Sequence, residues 1–326
     1  MGKRMRPHTL TVPKPLLPIA GKPIVQRLVE DIAKVCDQKL NKIAFIIGRS
    51  FGKEVEEHLR NIASAQGAEG LIYYQDEALG TAHAVNCAKD CLEGNVIVAF
   101  ADTLFRADFK IDSSKDGVIW VHSVEDPSAF GVVKLDGENH ITDFIEKPDV
   151  FISDLAIIGI YFFRDGEQLR EEIKYILDND IKEKGEYQLT NVLENMKKKG
   201  CKFIPGKVIE WWDCGNKNAT VYTNQRVLAN LNGELVKEEP KTNESSVIID
   251  PCYIGEGVVL KNSTIGPYVS IGSNTVVDNS VISNSIIQSN TVIRNANLTN
   301  SMVGNHAVYD GKANELSIGD FSQQSE

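Results

Sequence analysis

The sequence predicts an α/β protein built on a parallel sheet and continued by a β-helix. Three observations carry that prediction. Apolar runs of strand length alternate with amphipathic helical stretches over the first hundred residues. Aliphatic residues recur every five or six positions from Ile248 onward. Ahead of both lies an opening stretch, Gly2 to Pro23, that holds five cations and five prolines and suits neither a buried strand nor a helix.

The opening stretch reads as an ordered loop. Proline at this density removes chain entropy in advance, so Arg4, Arg6, Lys14 and Lys22 can form a fixed array of charge, which suits a polyphosphate. A solvated basic tail is the plainer reading. Residues 22 to 36 then place Ile24, Leu28, Ile32 and Val35 at helical spacing, and Ile43 to Gly48 reads as a buried strand. The rhythm repeats: helix 53–66, strand 70–74, helix 80–91, strand 95–100. In such sheets ligands lie beyond the carboxyl ends of the strands.

Short alternating strands follow at 117–122, 130–133, 141–148 and 156–163, suggesting a mixed extension of the same sheet. Residues 166–199 are charged helical sequence, and a further helix of about 15 residues is expected after Gly215. From Ile248 the aliphatics at 254, 260, 265, 271, 277, 282, 287, 293, 298 and 303 are separated by Gly, Asn, Ser or Asp. This is a hexapeptide repeat, in which each short strand buries one aliphatic in a stacked column; at roughly 18 residues per coil it predicts about three coils. Exposed coil faces favour a homo-oligomer.

Composition narrows the partners. Lys and Arg number 35 against 45 Asp and Glu, a formal charge of −10, so no nucleic acid or anionic membrane partner is expected and the basic loop must serve a small anion. No apolar run approaches the roughly 20 residues of a membrane span, and Pro13, Pro15 and Pro18 break any signal-peptide core. Six cysteines without CxxC spacing read as reduced thiols of a cytoplasmic protein. Cys87 and Cys91, four apart on an expected helix, would make only half a metal site.

Candidate site residues stand after the strands. Gln75, before the turn Gly80-Thr81, offers an amide able to read a base edge. Asp102 follows an apolar strand where a hard cation could bind, or it caps a turn. Glu146 and Lys147 put an acceptor and a cation beside Pro148, or form a surface ion pair. Asp213, between Trp211-Trp212 and Gly215, is a carboxylate in apolar company and so a metal candidate.

Together these pieces resemble the sugar-1-phosphate nucleotidyltransferases with a C-terminal left-handed β-helix, such as the long-form glucose-1-phosphate thymidylyltransferases. The resemblance covers nearly the whole chain. Gly2-Lys3-Arg4-Met5-Arg6-Pro7 matches the end of the family's G-x-G-T-R-L-x-P, and Pro13-Lys14-Pro15-Leu16-Leu17-Pro18 matches its PKxLLP. It implies a Rossmann-like mixed, mostly parallel nucleotidyltransferase sheet over 1–235, a linker at 236–246, and a short left-handed parallel β-helix with a polar tail over 247–326. It makes Arg4 and Lys14 catalytic phosphate cations, with Gly2, Lys3, Gln75, Gly80 and Thr81 also on the nucleotide. Gly131, Glu146, Lys147 and Gly159 would line the sugar-phosphate site, and Asp102 and Asp213 would hold Mg²⁺.

The implied reaction is attack of a hexose 1-phosphate on the α-phosphorus of a nucleoside triphosphate, giving a nucleotide sugar and pyrophosphate. Gln75 suits thymine or uracil, so dTTP or UTP is expected with glucose 1-phosphate; a mannose-1-phosphate guanylyltransferase is an alternative. Thr190-Asn191 stands where the family often reads L-T-D, so that acid is replaced. The family places a strand before the loop with which this sequence begins. A sheet without it lacks a central strand and half of the nucleotide cradle, and the other alternative is therefore a non-catalytic or impaired homologue that binds nucleotide sugars. Acyl transfer by the β-helix, with His306 as base, is a third reading, set against a lone surface histidine.

Overall fold

The structure is a computed structural model that describes residues 3–231, 239–311 and 315–324; Gly2 lies outside the described residues, and of Lys3 only the backbone is described. The chain forms two compact units, one of residues 28–100 and 105–211, the other of 1–27, 101–104 and 212–326. The sequence reading divided the chain once, at a linker. The compact units instead interleave in sequence, because the opening loop and the helix after Gly215 belong with the C-terminal repeat.

The first of these units is the α/β core. Helix α1 (Ile24–Val35) enters it, and the strand Lys42–Ile47 pairs in parallel with Glu69–Tyr74 beneath α2 (Gly52–Ala65), whose Leu59, Ile62 and Ala63 are buried. A larger mixed sheet is organised on the nine-residue strand Leu155–Phe163, buried along nearly its whole length as its continuous apolar text requires. Gly117–Ser123, Gly131–Leu135 and Val96–Ala99 all pair with it antiparallel, Phe203–Lys207 adds in parallel to Gly117–Ser123, and Ile141–Glu146 adds antiparallel to Gly131–Leu135.

The expected helix 80–91 is α3 (Thr81–Cys87) followed by a separate 3₁₀ turn, so Cys87 and Cys91 do not share a helix. The charged stretch 166–199 divides into α4 (Gly166–Asp178) and α5 (Leu189–Lys198), interrupted where Asp180, Lys184 and Gly185 take left-handed backbone. The Asp165 carboxylate caps α4 by accepting the Gln168 N–H at 2.8 Å. Apolar faces of α4 and α5, through Ile173, Ile176, Val192, Leu193 and Met196, join Val121, Phe144, Tyr161 and Phe163 in one core.

The second unit is a parallel β-solenoid of about four turns together with α6 (Lys217–Asn230) and the opening loop. The aliphatics singled out by spacing stand in three columns: Ile248, Ile265, Ile282 and Leu298; Ile254, Ile271, Ile287 and Val303; Leu260, Val277 and Ile293, closed by Tyr309. The residue numbers show coils shorter than the expected 18, so the same stretch winds through more turns than three. Asparagine makes the corners: Asn262, Asn279 and Asn295 take positive φ, a conformation its short amide tolerates better than most side chains. Thr242–Glu244, inside the stretch read as linker, pair in parallel with Val259–Lys261 and form a solenoid strand.

The opening stretch is ordered as expected. It holds 3₁₀ turns at Lys3–Met5 and Lys14–Leu16 and a two-residue ladder of Pro18–Ile19 against Lys22–Pro23.

Candidate active site

The phosphate and metal candidates gather in the unit that carries the solenoid. Lys14 Nζ donates to Asp102 Oδ2 at 2.9 Å; the lysine side chain is 13% exposed and the aspartate 50%. Buried Leu17 holds this loop, its carbonyl accepting the N–H of Ile24 at the start of α1. Asp102 in turn is tied by its backbone carbonyl to the Cys214 N–H at 2.9 Å, which brings it beside Asp213. Asp213 Oδ1 accepts the Gly215 N–H at 2.9 Å, and its carbonyl accepts the Thr223 hydroxyl of α6. A Cβ on Gly215 would lie 2.7 Å from Asp213 Oδ2, so glycine leaves the room in which the carboxylate sits.

Burial pushes the Asp213 carboxyl up from its ordinary range, and the Asp102 charge pushes the same way, while Lys14, the Gly215 amide and Arg4 pull it back. The cluster is thus two carboxylates close enough to repel, partly compensated by two cations. Arg4 stands next to Met5, which is buried against the Thr220 hydroxyl of α6.

The donor set fits a hard divalent cation, because both candidate ligands are carboxylates and a cation would relieve their repulsion. Among the described residues no group of three or more His, Cys, Asp or Glu is placed to share a metal, so the remaining ligands of such an ion would come from elsewhere, as phosphate oxygens do.

The base and sugar candidates lie in the α/β core. Gln75 Nε2 donates to the Gly80 carbonyl at 3.2 Å and approaches His83 Nδ1 at 3.2 Å, leaving its carbonyl oxygen for another donor. Gly80, with φ +120°, packs on the backbone of Tyr187, where a Cβ would come within 2.4 Å of the carbonyl oxygen. Thr81 is engaged within the protein: its hydroxyl donates to Gln188 Oε1 and accepts the Leu189 N–H. The sequence does not show this lacing of 79–82 to 187–189, since its partners are about a hundred residues apart.

Glu146, at the end of its strand, has Lys147 Nζ 3.5 Å from Oε1, and its Oε2 accepts the Thr190 hydroxyl at 3.3 Å. A Cβ on Gly131 would stand 3.1 Å from Glu146 Oε2 and 3.3 Å from Thr190, so Gly131 packs against the same pair. The Glu146 charge is felt around it: Glu183 is pushed up by burial and then by Glu146, against Lys184, and Tyr161 is pushed up by burial and then by Glu146. Gly159, φ +84°, packs on the Phe100 ring.

Thr190 and Glu183 were not legible as neighbours of Glu146. The signal at Thr190 was its place as the threonine of the L-T-D pattern, whose acid Asn191 replaces; for Glu183 there was none. His306 stacks on Phe321 with ring centroids 4.8 Å apart, as a surface residue of the solenoid would. All six cysteines are free thiols, and among the described residues no helix is long and apolar enough to cross a membrane.

Residues 1–230 match the nucleotidyl transferase family. The chain is 31% identical to a glucose-1-phosphate thymidylyltransferase of Streptomyces antibioticus, over 87% of this chain and 84% of that one. It is 29% identical to the low-salt glycan biosynthesis nucleotidyltransferase Agl11 of Haloferax volcanii, with the same coverage. The bifunctional protein GlmU of Methanocaldococcus jannaschii shares 31% over 86% of this chain and 69% of its own. Among solved structures, a putative glucose-1-phosphate thymidylyltransferase from Bacillus anthracis, in complex with a sucrose, superposes with a TM-score of 0.57 at 26% identity, covering 68% of this chain and 89% of that one. These matches extend over the α/β core, the loop and the acids that follow its strands, and the chain belongs to the nucleotidyl transferase family.

Proposed function

We propose that the protein transfers a nucleotidyl group from dTTP or UTP to glucose 1-phosphate, releasing pyrophosphate and leaving a nucleotide sugar. The observation that carries this reading is the cluster of Lys14, Asp102, Asp213 and Arg4, cations and carboxylates held together where a polyphosphate and its metal need both. Family members generally use a divalent metal, and Mg²⁺ is the ion proposed here, held by Asp102 and Asp213. When bound it supplies charge neutralisation at the phosphates and polarises the phosphorus under attack.

The chain's own residues do the rest. Arg4 and Lys14 align the triphosphate and take up charge on the leaving pyrophosphate, with Gly2 and Lys3, which precede Arg4 in the sequence, also assigned to the nucleotide. Gln75, Gly80 and Thr81 recognise the base: the free carbonyl of Gln75 suits the imide N–H of thymine or uracil, and the tight Gly80 turn lets backbone approach it. Lys147 meets the sugar phosphate, Glu146 accepts from sugar hydroxyls, and Gly131 and Gly159 leave space for the ring. The attacking phosphate oxygen is already anionic, so no strong base is required and the protein's contribution is alignment and electrostatics. A cytoplasmic homo-oligomer is proposed, with free thiols supporting the compartment.

Pyrophosphate release on mixing dTTP or UTP, glucose 1-phosphate and Mg²⁺ tests the reading, within a panel that includes GTP with mannose 1-phosphate. Turnover only with the latter pair moves the assignment to a guanylyltransferase. Binding of nucleotide sugars with no release from any pair makes the protein a binding homologue.

A further inference from the structure

We propose that the last turn of the solenoid is a clamp for the opening loop, with His8, Thr11, Ser317 and Asp320 acting as positioning residues for nucleoside triphosphate binding. The inference rests on the reading that Arg4 and Lys14 hold the triphosphate. Both cations lie on the stretch that the clamp grips, Arg4 four residues before His8 and Lys14 three after Thr11.

Three contacts make the grip. His8 is 1% exposed and its Nε2 lies 3.0 Å from Ser317 Oγ. Pro7 sits so close to Gly319 that a Cβ there would come within 2.9 Å of the proline Cβ. The Thr11 hydroxyl donates to Asp320 Oδ2, while Oδ1 of the same carboxylate accepts the Asn305 N–H at 2.6 Å, which ties the loop to a coil corner.

The far end of the loop is held on the same unit. Asn224 of α6, fully buried, accepts the Ala20 N–H at 2.9 Å and the Ser270 hydroxyl at 2.7 Å through one oxygen, and the Tyr253 ring fills the space above Gly21. The 8–21 stretch is therefore strung between two anchorages on a stacked β-structure, and Lys14 stands within the span.

A plainer reading is that the loop merely covers the open end of the solenoid, as terminal repeats need. His8 argues for more than a cover. Its Nδ1 is buried without a partner among the described residues, which costs stability that an apolar residue would not. A cover needs apolar area, whereas a clamp needs direction, and hydrogen bonds supply direction.

The test uses the full chain with Thr11→Val, Ser317→Ala and Gly319→Val, measuring dTTP affinity at equilibrium in Mg²⁺ and steady-state constants for dTTP and glucose 1-phosphate. Thr11→Val is nearly isosteric at an exposed position, so it keeps the experiment decisive if the Gly319 variant fails to fold. Loss of one positioning hydrogen bond is expected to weaken dTTP binding about fivefold, with the glucose 1-phosphate KM within about twofold of the parent, and Thr11→Ser is expected to restore it. A lowered Tm with unchanged dTTP affinity in all three variants overturns the clamp and leaves a structural cover. Lys14→Ala separates the two readings: if it leaves dTTP affinity unchanged, the loop is not the triphosphate site, and if it weakens binding while the clamp variants do not, the clamp alone fails.

Discussion

The proposed phosphate-binding residues and the proposed base- and sugar-binding residues are held by different physics. Arg4, Lys14, Asp102 and Asp213 form a charged cluster: two carboxylates repel across partly desolvated space, and two cations partly compensate. Gln75, Gly80, Gly131 and Gly159 are placed by neutral hydrogen bonds and by the absence of side-chain volume. The first set is poised for ligands that bring charge, and the second is a mould that a ligand fills. Substitutions should therefore separate chemistry from stability in the first set and couple them in the second.

The largest effect is expected at the carboxylates. Asp102→Asn and Asp213→Asn should each lower the rate of pyrophosphate release by about a hundredfold or more. Because burial already disfavours the charged Asp213, its amide variant should keep or raise Tm at neutral pH. A parallel fall in Tm and rate would show that Asp213 is a structural cap.

Gly80→Ala should do the opposite: it forces a Cβ onto the Tyr187 backbone at a left-handed φ, which should cost about 2 kcal/mol or more of stability, read as a lowered midpoint in urea. An unchanged midpoint would refute the tight-mould account. Next comes Glu146→Gln, expected to raise KM for glucose 1-phosphate by about tenfold while leaving that for dTTP unchanged. A shift confined to dTTP would remove Glu146 from the proposed sugar-binding set.

A separate, pH-dependent effect concerns His8, whose burial lowers its pKa from 6.5 to about 4. Between those values the unfolded chain takes up a proton that the folded one refuses, so stability should fall as pH drops from 6.5 towards 4, by up to about 3 kcal/mol. His8→Gln should flatten that part of the pH–stability curve; an unaltered slope would mean that His8 is not the group responsible.

What the sequence made legible follows from how local each signal is. The solenoid columns were readable one by one, because a hexapeptide repeat writes each buried aliphatic into the chain at near-constant spacing. Strands such as Leu155–Phe163 announced themselves by a continuous apolar run. Asp102 and Asp213 were visible as acids at strand ends, and Lys14 as a cation in a stiff loop. Their mutual geometry was not, since the Lys14–Asp102 bond joins positions 88 apart. The Thr81–Gln188 and Thr190–Glu146 hydrogen bonds were hidden for the same reason. The split of 166–199 was missed because charged helical text hides the left-handed turn at Asp180, Lys184 and Gly185.

The contact of His8 with Ser317 spans 309 positions, and that has a consequence for how the protein is made. The ribosome delivers the opening loop long before its anchor, so this clamp can close only once the coil that carries Ser317 has been made. Until that coil emerges, the stretch around His8 and Thr11 lacks one of its two anchorages, and closing so long a chain segment is entropically costly. Nucleotide affinity should consequently be the last property that a growing or refolding chain acquires, well after the α/β core has gained its compactness.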